Sequence, residues 1–120
     1  MAGVHFRMPS RYVPHYLKYP FDPLTTARVR AFLQPGMTVL DVGAHIGYYT
    51  LLAATRVGPR GRVFAVEPAE ENVALLRENV ARARAGHVTV LPFAAGGRDG
   101  VRNFAITDSS DAHGFYQHPL

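Results

Sequence analysis

The chain contains no cysteine. It therefore has no disulfide framework, no thiol nucleophile and no thiolate metal site. Long apolar runs are missing too, and no stretch approaches the ~18 residues that cross a membrane. The opening Met1-Ala2-Gly3-Val4-His5-Phe6-Arg7 has no continuous apolar segment of signal-peptide length. A cytoplasmic chain without a membrane partner is the expectation. His5, His15, His87, His113 and His118 show no metal-ligand spacing such as His-x-x-x-His, so no metal is expected. Neither a Walker-type Gly-x-x-x-x-Gly-Lys nor a Gly-x-Ser-x-Gly nucleophile elbow occurs. Acidic residues are the scarcer charge, 9 against 13 basic ones, for a net +4. The arginines are scattered, and no aromatic-rich RNA-recognition motif accompanies them. They read as a solvated basic surface, and no nucleic-acid partner is expected.

What is present suits one domain or part of one. The apolar share of 48% argues against wholesale disorder. Residues 1–21 read as an irregular lead segment, because Pro9, Pro14 and Pro20 interrupt any helix. Tyr12, Tyr16 and Tyr19 in it are candidates for a lid or for packing. Residues 22–120 read as the domain proper, with a core over 36–107 and a polar tail over 108–120. Asp108 and Asp111 in that tail read as loop and turn residues. Asp22-Pro23 starts a helix with an N-cap and a proline at the first helical position. Leu24, Ala27, Ala31 and Phe32 are its candidate buried stripe. Gln34-Pro35-Gly36 ends it.

A strand is predicted over about 37–42, a helix from Gly47 to Arg56, and a second strand from Arg62 to Glu67. The near-continuous apolar run Val63-Phe64-Ala65-Val66 suits a buried parallel strand. Glu70 and Glu71 open the next helix, where carboxylates oppose the helix dipole favourably, and Val73, Leu76 and Val80 are its stripe. Gly86 ends it, and a third strand runs from His87 to Pro92. Strand, helix, strand, helix, strand with short connections is the pattern of a parallel sheet with right-handed crossovers. Gly96-Gly97 and Asp99-Gly100 then mark turns, and residues 101–107 are expected to return as an antiparallel hairpin strand.

The most informative run is Val39-Leu40-Asp41-Val42-Gly43-Ala44-His45-Ile46-Gly47-Tyr48-Tyr49. A strand, a glycine-containing loop and a helix start succeed one another there, which brings backbone close to a polar ligand. The carboxylate of Asp41 suits a ligand carrying an ammonium better than a phosphate. Glu67, at the end of the second strand, suits the two hydroxyls of a ribose. Each residue also has a plain reading. Asp41 and Glu67 can cap the loops that follow them, and Gly43 and Gly47 can serve an ordinary tight turn.

These residues resemble the first motif of the class I S-adenosylmethionine-dependent methyltransferases, Asp-x-Gly-x-Gly-x-Gly, with His45 in the middle glycine position. Asp41 to Tyr49, Val63 to Pro68 and Glu71 to Leu76 are most similar to the FkbM-type methyltransferases. The resemblance implies a Rossmann-like α/β fold with helices on both faces of the sheet. This chain would supply strands 3, 2 and 1 of a sheet ordered 3-2-1-4-5-7-6, plus the hairpin strand, and so one half of a cofactor crevice. It implies S-adenosylmethionine as cofactor, held by Asp41, Gly43, Ala44, His45, Gly47, Glu67, Pro68, Phe93 and Ala94. For His45, cofactor contact and helix capping stay open. For Phe93, adenine contact and core packing stay open.

The implied reaction is methyl transfer to an oxygen, with the hydroxyl of a sugar or other small molecule as acceptor. No catalytic residue can be named. The isolated chain is expected to bind cofactor weakly or not at all and to transfer no methyl groups, with a second copy or another chain covering the open sheet edge. The competing readings are a non-catalytic fragment or subunit and, remotely, a nucleotide-cofactor dehydrogenase. The latter needs glycine at 45 and 48, where His45 and Tyr48 stand.

Overall fold

Three short parallel strands carry the fold in the computed structural model, which describes residues 5–16 and 22–106. They are β1 (Thr38–Val42), β2 (Arg62–Val66) and β3 (Val88–Leu91), in spatial order β1-β2-β3. The register aligns Val39 with Val63 and Val88, and Asp41 with Ala65 and Val90. The crossovers are α3 (Tyr48–Val57) and α4 (Glu70–Arg82). Gly61 lets α3 end tightly against β2. A Cβ there would meet Val57 at 2.5 Å and the carbonyl oxygen of Met37 at 2.7 Å.

Both crossover helices cover the same face of the sheet. Val63, on that face, packs with Leu51, Ala54 and Val57 of α3, and Ala65 beside it packs with Leu76 of α4. Leu40 (65% exposed), Val42 (57% exposed) and the half-buried Phe64 belong to the other face. This corrects the expectation of helices on both faces. Right-handed crossovers that advance in one direction along a sheet put every helix on one side. The other side fills only after the strand order reverses, and no reversal occurs among the described residues.

The helix α2 (Pro23–Phe32) begins as the sequence suggested. Asp22 accepts a hydrogen bond from the backbone N–H of Thr25 at 3.3 Å, and Pro23 is the first helical residue. Its expected stripe is displaced, however. Leu24, Ala27, Ala31 and Phe32 are all exposed, Phe32 at 76%. Val29 and the C-cap Leu33 enter the core instead. Of the stripe, Phe32 borders an apolar cavity of about 530 Å³ along the open edge of β1, lined also by Val29, Leu40 and Asp41 among others.

The lead segment is less irregular than its prolines suggest. A 3₁₀ turn over Ser10–Tyr12 continues into one turn of helix, α1 (Val13–Tyr16). Pro9 precedes the turn and Pro14 lies in the first turn of α1, where no intrahelical N–H is needed. The segment is tied to α4. The backbone N–H of Arg7 donates to Asn79 Oδ1 at 2.6 Å, and Asn79 Nδ2 donates to the carbonyls of Arg7 and Ile46. Arg7 also pairs with Glu78 at 2.9 Å.

After β3 the expected hairpin strand is not formed. Within 101–106 only Ala105 carries an isolated bridge. Val101 is fully exposed, and Ile106 lines a depression with Ala69, Glu70, Glu71, Asn72 and Ala74 at the start of α4. Phe104 and Ala105 are half-buried, so the segment is partly covered without forming a continuous strand, and residue 107 of the expected strand lies outside the described residues. The expected tail over 108–120, with Asp108 and Asp111, lies outside the described residues, as does Tyr19.

Candidate functional site

The loop between β1 and α3 is built on left-handed backbone. Gly43, His45 and Gly47 have φ of 80°, 54° and 101°. These are the three glycine positions of the motif, so each glycine answers a backbone demand. His45 meets it as a non-glycine residue in a region that histidine and asparagine tolerate better than most. Gly47 has a second reason: a Cβ there would lie 2.7 Å from Leu76 Cδ1. The loop N–H groups are used within the protein. Those of Gly43 and Ala44 both donate to the Val66 carbonyl, at 2.9 and 3.0 Å, and that of Gly47 donates to Ala44. The first two fasten the loop to β2, and the third closes a turn within the loop.

The N–H of His45 donates to Glu67 Oε2 at 2.9 Å. Glu67 follows β2 directly and is only 5% exposed. Its Oε1 accepts from the N–H of Ala69 at 3.0 Å and from Asn72 Nδ2 at 3.3 Å. Asp41, near the end of β1, accepts from Thr50 Oγ1 at 2.6 Å. Burial raises the Asp41 carboxyl above its ordinary pKa, the Thr50 hydrogen bond opposes this, and the nearby charge of Glu67 adds to the rise. Two carboxylates thus end adjacent parallel strands, close enough for the charge of Glu67 to act on Asp41. Pro68 is half-buried and Ala69 buried beside Glu67.

The N-cap of α3 is Gly47, two residues after His45. The Nδ1 of His45 lies 2.6 Å from the Tyr16 hydroxyl, and its ring packs 5.0 Å from that of Tyr12. Tyr12 and Tyr16 therefore sit over the loop. Phe93 and Ala94 follow β3, and Phe93 is 53% exposed, which removes it from the core. The Leu91 carbonyl accepts from both the Glu67 and Phe93 N–H groups, so Phe93 stands next to Glu67 at the sheet's carboxyl edge.

Thr50, Asn72 and Asn79 escaped the sequence reading as site residues. All three are buried and polar. The available signal was helical spacing: Asn72 and Asn79 interrupt the apolar stripe of α4 on the face that carries Leu76. A buried amide on such a stripe implies a partner, here Glu67 for Asn72 and the Ile46 carbonyl for Asn79.

Comparison with known proteins extends these observations. The sequence profile of the protein-L-isoaspartate(D-aspartate) O-methyltransferase family matches residues 19–109. The chain is 40% identical over 80 residues to a protein-L-isoaspartate O-methyltransferase of Triticum aestivum, covering 67% of this chain and 31% of the relative. It is 45% identical over 58 residues to the arsenite methyltransferase of Halobacterium salinarum, covering 48% of this chain and 15% of the relative. Its fold is similar to that of an O-methyltransferase from Bacillus cereus solved in complex with SAH. The TM-score is 0.53 and the identity 25%, over 59% of this chain and 34% of that one. The chain spans less than a third of the length of these curated relatives. The matched profile is not of the FkbM type.

Proposed function

The chain belongs to the protein-L-isoaspartate(D-aspartate) O-methyltransferase family of class I S-adenosylmethionine-dependent enzymes, and we propose that it forms the cofactor-binding half of such a methyltransferase. The observation that supports this best is the pair of carboxylates on adjacent strand ends, joined by a left-handed glycine loop. Asp41 would receive the methionine ammonium and Glu67 the ribose hydroxyls. Gly43 offers open backbone to the ligand, since nothing lies within 4 Å of a Cβ built there. Ala44, Pro68, Phe93 and Ala94 would border the adenosine. His45 acts through its backbone N–H, which holds Glu67, and its ring serves the lead segment rather than chemistry. S-adenosylmethionine, when bound, supplies a sulfonium methyl group for in-line displacement by an acceptor oxygen. The chain's part is alignment.

For the acceptor, the family points to the carboxyl of an isoaspartyl residue in a protein, replacing the small-molecule hydroxyl first expected. A carboxylate is already ionised at neutral pH and needs no base to act as the nucleophile. The FkbM likeness rests on Asp41 to Tyr49, Val63 to Pro68 and Glu71 to Leu76, which surround the proposed cofactor site, and the arsenite methyltransferase matches 58 residues of this chain while its printed name gives a different acceptor. Such likeness carries no acceptor information. The open edge of β1 and the bare sheet face call for completion by further polypeptide, whether a continuation, a second copy or another chain. A cytoplasmic setting is the matching proposal; no described helix is long and apolar enough to cross a membrane.

The test is titration with S-adenosylhomocysteine of the wild type, Asp41→Asn and Glu67→Gln. Weak binding by the wild type and loss in both variants is expected. Equal binding by all three would refute the assignment. Methyl transfer to an isoaspartyl peptide against a sugar alcohol, with the completing half supplied in trans, sorts the acceptors.

A further inference from the structure

We infer that the segment Ser10–Tyr16 is a latch on the cofactor site, closed through Tyr12 and Asn72, which ribose binding must open. This rests on the proposed role of Glu67 as the ribose grip. A carboxylate offers about four acceptor positions, two per oxygen. In Glu67 both positions of Oε1 are taken, by the Ala69 N–H and by Asn72 Nδ2, while Oε2 has one taken by His45. A ribose gripped by both oxygens needs one position on each. Oε1 must therefore release a donor. The Ala69 N–H is backbone at the N-cap of α4 and cannot turn away. Asn72 makes the longer bond, 3.3 Å, and its side chain can rotate.

Asn72 is not independent of the lead segment. Its Oδ1 accepts from the Tyr12 hydroxyl at 3.1 Å. Tyr12 is itself buried, and its ring packs on His45, the other side of the Glu67 cradle. One aromatic side chain thus braces two of the three partners of the carboxylate. Two further contacts hold it down: the Tyr16 hydroxyl at His45 Nδ1, and an ion pair between Arg11 and Glu71 at the surface. Rotation of Asn72 breaks the Tyr12 bond, so ligand entry and release of the segment are one event. A ligand selects the open state only by its own differential affinity, so the closed state lowers apparent affinity.

The experiment is an NMR-detected titration of the whole chain, to millimolar ligand, with S-adenosylhomocysteine and its 2′,3′-dideoxy analogue. The proteins are the wild type, Tyr12→Phe and Glu71→Gln, the last a surface change that leaves the core intact. Loss of one neutral hydrogen bond from the closed state should tighten S-adenosylhomocysteine binding by Tyr12→Phe about fivefold. Glu71→Gln should tighten it by less, and trypsin should cut after Arg11 faster in both variants. Equal or weaker binding by Tyr12→Phe overturns the latch while leaving the ribose assignment intact. Equal binding of the two ligands to the wild type shows that the ribose reading itself has failed. Absence of binding by both wild type and Tyr12→Phe, or unchanged cleavage at Arg11, also overturns the latch.

Discussion

Glu67→Gln offers the sharpest test of how the site is built. Glutamine keeps the shape of the side chain but exchanges one acceptor oxygen for an NH₂ group that donates. Glu67 faces donors on both sides, the His45 N–H at 2.9 Å on one oxygen and the Ala69 N–H and Asn72 Nδ2 on the other. Turned toward Ala69 the new amide loses two bonds, so it should turn toward His45 and lose one. A buried backbone N–H is then left without its partner, at a cost of about 1–3 kcal/mol. Relief of the repulsion with Asp41 offsets a small part of this. A net loss of about 2 kcal/mol corresponds to a fall in Tm of roughly 6–10 °C for a domain of this size. Thermal and urea unfolding followed by circular dichroism measure it. An unfolding free energy within about 0.5 kcal/mol of wild type would show that the three donors do not converge on this carboxylate.

Asp41→Asn should behave in the opposite way. Asn can still accept from Thr50, and it removes a charge whose folded-state pKa is raised, first by burial. A raised acid contributes stability that is full below its unfolded pKa of about 4 and is lost as pH rises through the folded value. Urea titrations should therefore show Asp41→Asn gaining on wild type from pH 4 towards neutrality, with no gain at lower pH. Gly47→Ala should destabilise by about 2–4 kcal/mol, from left-handed backbone and collision with Leu76; a drop below 1 kcal/mol would contradict the close packing. Leu40→Lys, on the bare face, should change stability by less than about 0.5 kcal/mol while reducing self-association measured by sedimentation.

The sequence made the strands and crossover helices legible because their signals are local. Val63 to Val66 is a buried apolar run, Asp22-Pro23 a helix start, and Gly58 a helix end with φ of 67°. Asp41 and Glu67 were legible for the same reason, as acids placed where strands stop. The one-sided sheet was not, because it follows from the order of strands in space, which local pattern does not state. The stripe of α2 was misread since Leu24 and Phe32 are apolar at helical spacing, yet nothing described covers them. The hairpin strand was over-read because turn signals and alternation in 101–106 state a local preference, and only Ala105 finds a bridge there. Tyr12 on Asn72 joins residues far apart in the chain, a pairing that no periodicity encodes.

The exposed Leu40 and Val42 on the open strand have a consequence for the amount of this polypeptide in a cell. An adhesive underside left uncovered is what chaperones and proteases recognise, and triage sets abundance. Where a different chain seals the sheet, the level of this one should therefore rise and fall with that partner rather than with its own rate of synthesis.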